Sequence, residues 1–167
     1  MQTLAAPRSA IQRPAPQLAP QQGLADLMGP AQRRVIADAL AGPERHWFRA
    51  KLAELDRVAT AMPRTYQTDG QGDAAAAQLH YFTASADWYI VELDVSAAED
   101  GGHHQAFGLA CLNGEYPELG YISIPELLAC GAELDLHWSP TPIGALKAQA
   151  AGAPAHVVAE LARLGAA

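Results

Sequence analysis

The sequence predicts an α+β fold in which a mainly antiparallel sheet of about five strands contains a short crossover helix. A pair of helices precedes the sheet, and one or two C-terminal helices follow it. Hydrophobic residues recur at helical spacing over residues 30–61 and alternate with polar residues in runs between 78 and 138. The composition, 50% hydrophobic and 17% charged over 167 residues, excludes a wholly disordered chain, a disulfide-dense scaffold and a generally basic nucleic-acid-binding protein.

Residues 1–28 predict a flexible arm rich in Pro, Gln and Ala. Pro7, Pro14, Pro16 and Pro20 are spaced too closely for a helix. Such an arm serves as a tether or a docking peptide, or is simply an unstructured terminus.

Residues 29–62 predict a helix pair. Pro30 suits the first turn of a helix that reaches Leu40, and Gly42 stands where a C-terminal cap belongs. A second helix is expected from Glu44 to about Ala61. Its apolar stripe comprises Phe48, Leu52, Leu55 and Ala59, widened by Trp47 and Val58. Its basic residues form either a solvated face or a contact for an acidic partner.

Residues 63–77 contain Pro63, Gly70 and Gly72 and predict a linker, after which an acidic α+β domain is expected over 78–167. The predicted strands of this domain are the runs LHYFT, DWYIVELD, QAFGLACL, LGYISI and ELDLHW, with a hairpin loop at 97–104. In the second of these strands, the odd-numbered residues from Tyr89 to Leu93 are expected on one face of the sheet and the even-numbered residues on the other.

A two-turn helix is predicted at 124–130, between the fourth and fifth strands. Ser123 and Glu126 have the spacing of a capping box, and Gly131 suits the left-handed position after the last turn. Further helices are expected over 141–151 and 154–164. The sheet therefore has helices before it, within it and after it.

Charge is unevenly distributed along the chain, whose formal net charge is -7. Residues 1–64 carry nine Lys and Arg against five Asp and Glu, whereas residues 65–167 carry two against thirteen. The two parts either fold against each other through this difference or present it to a partner.

Two cysteines, Cys111 and Cys130, are too few for a disulfide framework, and we expect two small buried hydrophobes in a reducing compartment. No apolar run approaches the roughly 20 residues that span a bilayer. We therefore expect a cytoplasmic protein that does not bind membranes.

Patterns that dictate a chemistry are missing from the sequence, which has no GxSxG, glycine-rich phosphate loop or HExxH. We therefore assign no catalytic residue, metal or cofactor. His103 and His104 beside Glu99 and Asp100 resemble a metal cluster weakly, since adjacent residues on a glycine-rich loop rarely form a site in advance. His80 and His137 fall within predicted strands, where across the sheet they could meet a carboxylate such as that of Glu92 or Asp135, in a structural role or as a general base.

Carboxylates are concentrated in or beside the predicted strands. Two on neighbouring strands can form an acid–base pair, or they simply line the wet face of the sheet. They are Glu92, Asp94, Glu118, Glu133 and Asp135. Glu118 and Tyr121 lie in the segment YPELGYISIPEL (116–127), which is either a tight structural joint or a pair of presented recognition groups.

Three segments within about residues 79–146 share an ordered set of motifs: DWYIVELD (87–94), QAFGLACLNGEYPELGYISIPEL (105–127) and GAELDLHWSPTPI (131–143). In order and spacing they resemble a bacterial family known as domain of unknown function twenty-nine fifty-eight. Its members show a hairpin ending in W-Y-x-x-E, an A-F-G strand, an E-L-G-Y-I-S joint and a final D-L-x-W/F strand. The resemblance implies an accessory protein of plasmids, phages or other mobile elements, and it brings no catalytic residue.

Three functions follow as hypotheses. The first is a non-enzymatic interaction protein whose sheet domain and helix pair bind a protein, such as a basic nucleic-acid-handling enzyme, with no direct nucleic-acid binding by the acidic domain. The second is a nucleic-acid mimic that inhibits a restriction or CRISPR enzyme. The third is a small carboxylate-based enzyme. The candidate binding residues are Trp88, Glu92, Glu118, Tyr121, Asp135 and Trp138.

Overall fold

The structure is a computed structural model that describes residues 22–94, 105–114 and 116–164. Its helices are α1 (Gln22–Asp26), α2 (Pro30–Ala41), α3 (Arg45–Ala61), α4 (Ile124–Ala129), α5 (Ile143–Ala150) and α6 (Ala155–Leu164). Its strands are β1 (Ala76–Ala77), β2 (Leu79–Phe82), β3 (Ala86–Asp94), β4 (Gln105–Leu112), β5 (Glu118–Ser123), β6 (Glu133–Leu134) and β7 (Thr141–Pro142). The predicted loop 97–104 and the first 21 residues of the predicted arm lie outside the described residues.

Helix α1 departs from the prediction that residues 1–28 form an arm. Leu24, Leu27 and Met28 are each only 2% exposed, and they pack into the main hydrophobic core. Their spacing of three and four residues puts them on one side of a helical turn. The part of the predicted arm from residue 22 onward therefore belongs to the core.

The predicted helix pair is confirmed as α2 and α3. Pro30 occupies the first turn of α2, and the Gly42 N–H donates to the Ala39 carbonyl at its end. In α3 the predicted stripe faces inward, with Leu52 and Leu55 buried. The amphipathic pattern of α3 is satisfied because its apolar side packs into the main core beside α1 and α2.

Strands β5, β4, β3, β2 and β6 form, in that spatial order, the predicted five-stranded antiparallel sheet. The fold class is therefore confirmed as α+β. The last strand is shorter than the run 133–138 predicts. After Leu134, the Asp135 side chain accepts the His137 N–H at 2.8 Å, and this local turn ends the extended backbone.

A bulge in β3 makes the predicted alternation of that strand wrong. Ile90 pairs with Gly108 and Glu92 with Phe107, so Val91 is an extra residue in β3. Leu93 consequently packs in the main core with Ile90, whereas Val91 packs in a second core. A Cβ on Gly108 would lie 2.1 Å from the Tyr89 carbonyl oxygen, so glycine is required opposite the bulge.

The two cores lie on opposite faces of the sheet. The main core packs α1, α2, α3 and α4 against one face. The smaller second core combines residues of the sheet with β1 and α5 on the other face; its members are Ala75, Ala77, Val91, Leu109, Ile143 and Leu146. The region predicted as a linker, 63–77, contributes two of these residues and pairs with β7 through β1.

The predicted crossover helix is confirmed as α4. The Glu126 N–H donates to the Ser123 hydroxyl oxygen, and Gly131 has a φ of +80°. Its N–H donates to the Leu128 carbonyl, while the Ala132 N–H donates to that of Leu127, which completes a Schellman motif. Helices α5 and α6 follow where helices were predicted, except that Thr141 and Pro142, expected at the start of α5, form strand β7 by pairing with β1.

The two cysteines are both thiols. Cys111 is half-buried and Cys130 is exposed, so the prediction that both side chains are buried is wrong. Cys130 follows the last turn of α4 and therefore lies outside the packed faces.

Among the described residues, no helix is long and apolar enough to cross a bilayer.

Candidate functional site

The register of β2 and β3 places His80 opposite Tyr89 on the face of the second core. Both nitrogens of the His80 ring face carboxylates: Nε2 lies 2.9 Å from Asp87 Oδ1, and Nδ1 lies 3.1 Å from Asp135 Oδ2. The predicted meeting of His80 with Asp135 is therefore confirmed, and Asp87 is a partner that the sequence interpretation missed.

Aromatic rings enclose the same imidazole. The His80 and Tyr89 rings stack with centroids 4.7 Å apart, and the Trp138 ring lies 4.8 Å from His80. The Trp138 indole N–H donates to the Ala77 carbonyl, which fixes that ring over the sheet. We call His80, Asp87, Asp135, Tyr89 and Trp138 the His80 cluster.

Burial decides what the His80 cluster can do. The His80 side chain is 11% exposed, against 43% for Asp87 and 26% for Asp135. Burial first, and then the negative charges of Asp87 and Cys111, raises the pKa of Tyr89 to about 12. The imidazole is nearly buried and has a carboxylate beside each nitrogen, so its contacts help to hold this end of the sheet together.

Glu92 forms a separate polar contact near the opposite end of β3. It is 3% exposed; its Oε1 accepts the Thr68 N–H at 2.7 Å and the Thr68 hydroxyl at 2.6 Å. Its Oε2 accepts the Tyr66 N–H at 3.0 Å. Three donors satisfy this buried carboxylate, and it anchors the segment before β1 to the sheet.

Tyr121 lies in the same row of the sheet as Glu92, two strands away, with Phe107 between them. Its hydroxyl donates to the Tyr66 hydroxyl at 3.0 Å, and this hydrogen bond raises the pKa of Tyr121 above its usual value. Tyr66 has a φ of +69°, in the left-handed region that tyrosine rarely adopts, and the Glu92 contact to its N–H helps to hold it there. Both tyrosines are more than half exposed.

The six candidate binding residues therefore do not form one site. Glu92 and Tyr121 are linked through Tyr66, whereas Asp135 and Trp138 belong to the His80 cluster. Trp88 packs against the main core on the opposite face, and Glu118 is exposed on the edge strand β5.

A cavity of about 330 Å³ lies between the helix pair and the edge of the sheet. Its lining combines apolar side chains of α2 and α3 with the segment around β6: Ala31, Gln32, Val35, Ile36, Trp47, Phe48, Phe82, Glu133, Leu134, Asp135, Leu136 and His137. Val35 is 66% exposed and Trp47 is 43% exposed. The sequence interpretation assigned Trp47 to the helix stripe and did not foresee this cavity, because the cavity joins segments about 100 residues apart.

The Gln32 side chain forms the junction beside this cavity. Its Nε2 donates to the Leu134 carbonyl at 2.7 Å, and its Oε1 accepts the Leu134 N–H at 3.1 Å. The amide thus occupies the backbone groups of β6 that a further strand would use. Glu133 and Asp135 bring negative charge to the same rim, and the His137 ring lies 5.2 Å from that of Trp47.

The described residues contain no group of three or more His, Cys, Asp or Glu side chains that could hold a metal ion. The weak candidate at His103 and His104 falls outside them. Comparisons of the chain with protein families, with curated proteins and with solved structures found no match.

Proposed function

We propose that this chain is a non-enzymatic interaction protein that binds a protein partner in the cavity between its helix pair and its acidic sheet region. The observation that carries the proposal is the composition of that cavity, in which half-exposed Trp47 and exposed Val35 face a carboxylate-bearing rim. Exposed aromatic side chains in a concave apolar site are typical of interaction surfaces.

The chemistry of the cavity indicates the kind of segment it would take. Its volume of about 330 Å³ is at the lower end of the roughly 300–1,000 Å³ of ligand sites, which suits an apolar side chain or two. Among the described residues, Glu133 makes no ion pair. A partner segment with an apolar anchor beside a Lys or Arg therefore matches both the lining and the rim.

The two alternatives have weaker support. An enzyme would need an accessible base, yet the Glu92 carboxylate is buried and accepts three hydrogen bonds, and His80 is nearly buried between two carboxylates. A nucleic-acid mimic would need rows of free carboxylates, but Asp73 is paired with Lys147, and Asp87 faces His80. The family resemblance adds the context that we propose for the interaction, an accessory role in a mobile genetic element.

The test is selection of a random peptide library on the full chain, followed by measurement of Kd for the enriched peptides. We expect an apolar residue next to Lys or Arg to be enriched. Val35→Lys should weaken binding at least about tenfold, since it places a charge at the apolar opening. Leu164→Lys, an equally exposed leucine position on α6, should leave Kd unchanged.

Charge complementarity is tested with a second pair of variants. Glu133→Lys should weaken peptide binding, whereas Glu118→Lys, an exposed acidic position at the other edge of the sheet, should not. Raised salt should also weaken binding. Peptides without this motif, or equal affinity for the Val35→Lys variant, would refute the proposal.

A further inference from the structure

The two edges of the five-stranded sheet differ in how their backbone groups are covered. On the β6 edge, the Gln32 amide binds both backbone groups of Leu134. On the other edge, β5 pairs with β4 alone among the strands of the described residues. One edge is therefore capped by a side chain, and the other offers a six-residue strand.

Strand β5 also has few of the features that normally prevent pairing at an edge, since its one charged residue is Glu118 at the first position. It contains no Lys or Pro between Glu118 and Ser123, and its register with β4 has no bulge. Its outward residues Leu119 and Tyr121 are 44% and 55% exposed. An unprotected, regular and partly apolar edge is a template for a further strand.

We propose that β5 pairs with β5 of a second copy of this chain, which joins the two sheets across a two-fold axis at Gly120. Directly opposite residues of an antiparallel pair share a face, so this register brings Tyr121 of one copy opposite Leu119 of the other. Because of the two-fold axis, this contact between Leu119 of one copy and Tyr121 of the other occurs twice. This self-complementarity selects a second copy as the occupant.

The negative charge of the chain does not prevent this pairing. In the proposed register, each Glu118 faces Ile122 of the other copy. The two Glu118 positions are four residues apart along the ladder, roughly 13 Å at about 3.3 Å per residue. This separation exceeds the Debye length of about 8 Å at physiological salt, so their repulsion is largely screened.

Gly120 provides a direct test of the register. A Cβ built on this glycine meets no atom within 4 Å, so a cysteine side chain fits there. The two Gly120 Cα atoms would lie about 4.5 to 5.5 Å apart, within the range that a disulfide bridges. In Gly120→Cys under mild oxidation, we expect a covalent dimer whose linked peptides, identified by mass spectrometry, join residue 120 to residue 120.

The matched control is Gly23→Cys, another glycine whose Cβ would meet open space, on α1. It should form the covalent dimer much more slowly. A 120-to-120 link that forms no faster than the 23-to-23 link, or links mainly through Cys130, would overturn the proposed register.

Association without a cross-link is measured by analytical ultracentrifugation of the full chain over a concentration series. We expect a reversible dimer that Leu119→Lys or Tyr121→Lys weakens more than about tenfold, because each puts a charge into the apolar pairs. Leu164→Lys should leave the dimer unchanged. A wild-type chain that stays monomeric throughout, or lysine variants that dimerise as the wild type does, would overturn the proposal.

The proposed dimer does not depend on the proposed cavity function, and the effect of salt distinguishes the two. Because both copies carry a net charge of -7, raised salt should strengthen dimerisation by screening repulsion. The same change should weaken binding of a basic peptide in the cavity. Dimerisation that weakens with salt would contradict pairing between two acidic copies through apolar contacts.

Discussion

Thr68 and Glu92 make a two-point contact across 24 positions of sequence, in which the N–H and the hydroxyl of Thr68 both donate to one carboxylate oxygen. Tyr66 completes the arrangement at the other oxygen. This contact ties the segment before β1 to the centre of the sheet. It also explains how the Glu92 carboxylate can be buried, since it accepts three hydrogen bonds there.

Glu92→Gln should destabilise the chain by about 1–3 kcal/mol, because the new amide NH₂ would face donors and leave a buried N–H unpaired. The free energy of unfolding in urea measures this loss. Glu118→Gln is the matched control, since that carboxylate is exposed, and its effect should stay within about 0.5 kcal/mol. Equal stability of the two variants would show that the Glu92 contacts contribute little.

Gly108→Ala should lower the free energy of unfolding by roughly 1–3 kcal/mol, since the added methyl group would meet the Tyr89 carbonyl oxygen at 2.1 Å. The same substitution at Gly120, where the added Cβ meets nothing within 4 Å, should be neutral or slightly stabilising. If the two substitutions cost the same, the close approach at the β3 bulge is not a constraint on the fold.

Asp135→Asn should cost more stability than Asp87→Asn, although each removes one carboxylate partner of His80. The Asp135 side chain is less exposed and also accepts the His137 N–H. A double-mutant cycle with His80→Gln should give a coupling energy for each pair of about 0.5–3 kcal/mol. Asp73→Asn, which removes an exposed ion pair with Lys147, should cost no more than about 1 kcal/mol. Fully additive effects at His80 would contradict the cluster as a unit.

Stability should fall as pH rises from 10 to 12, partly because of Tyr89. Its folded-state pKa is raised to about 12 from the ordinary 10.0, so ionisation of the unfolded chain precedes that of the folded chain in this window. The stabilisation is complete below pH 10 and is lost as pH approaches 12. Urea midpoints across this range should fall less steeply for Tyr89→Phe than for the wild type.

Tyr116→Phe, at a 70% exposed position, provides the comparison for that experiment. It should reproduce the wild-type slope. An unchanged slope in Tyr89→Phe would mean that burial and the nearby Asp87 do not hold this hydroxyl protonated.

Local signals in the sequence predicted most of the elements. Pro30 and Gly42 mark the two ends of α2, and Ser123 and Gly131 mark those of α4. These ends are predictable because capping depends on residues within a few positions of each other. The spacing of Leu52 and Leu55 identified the buried side of α3 for the same reason. Such short-range chemistry can be interpreted without knowing what the element packs against.

The features that the sequence did not predict depend on contacts between residues that are far apart in the chain. The bulge at Val91 is visible only in the pairing with β4, and the end of β6 depends on a turn made by Asp135. Neither leaves a pattern in its own segment. The burial of Leu24 requires α3 and the sheet to be in place beside α1.

The sequence by itself determined an α+β chain with an antiparallel sheet, a capped crossover helix and a strongly acidic C-terminal part. Only the tertiary structure decided which side chains meet. It divided the candidate binding residues between the His80 cluster, the Glu92 contact, the β5 edge and, for Trp88, the main core. It also formed the cavity from α2, α3 and the segment around β6. Periodicity and caps act over one or two turns, whereas strand order and register bring together residues as distant as Gln32 and Leu134.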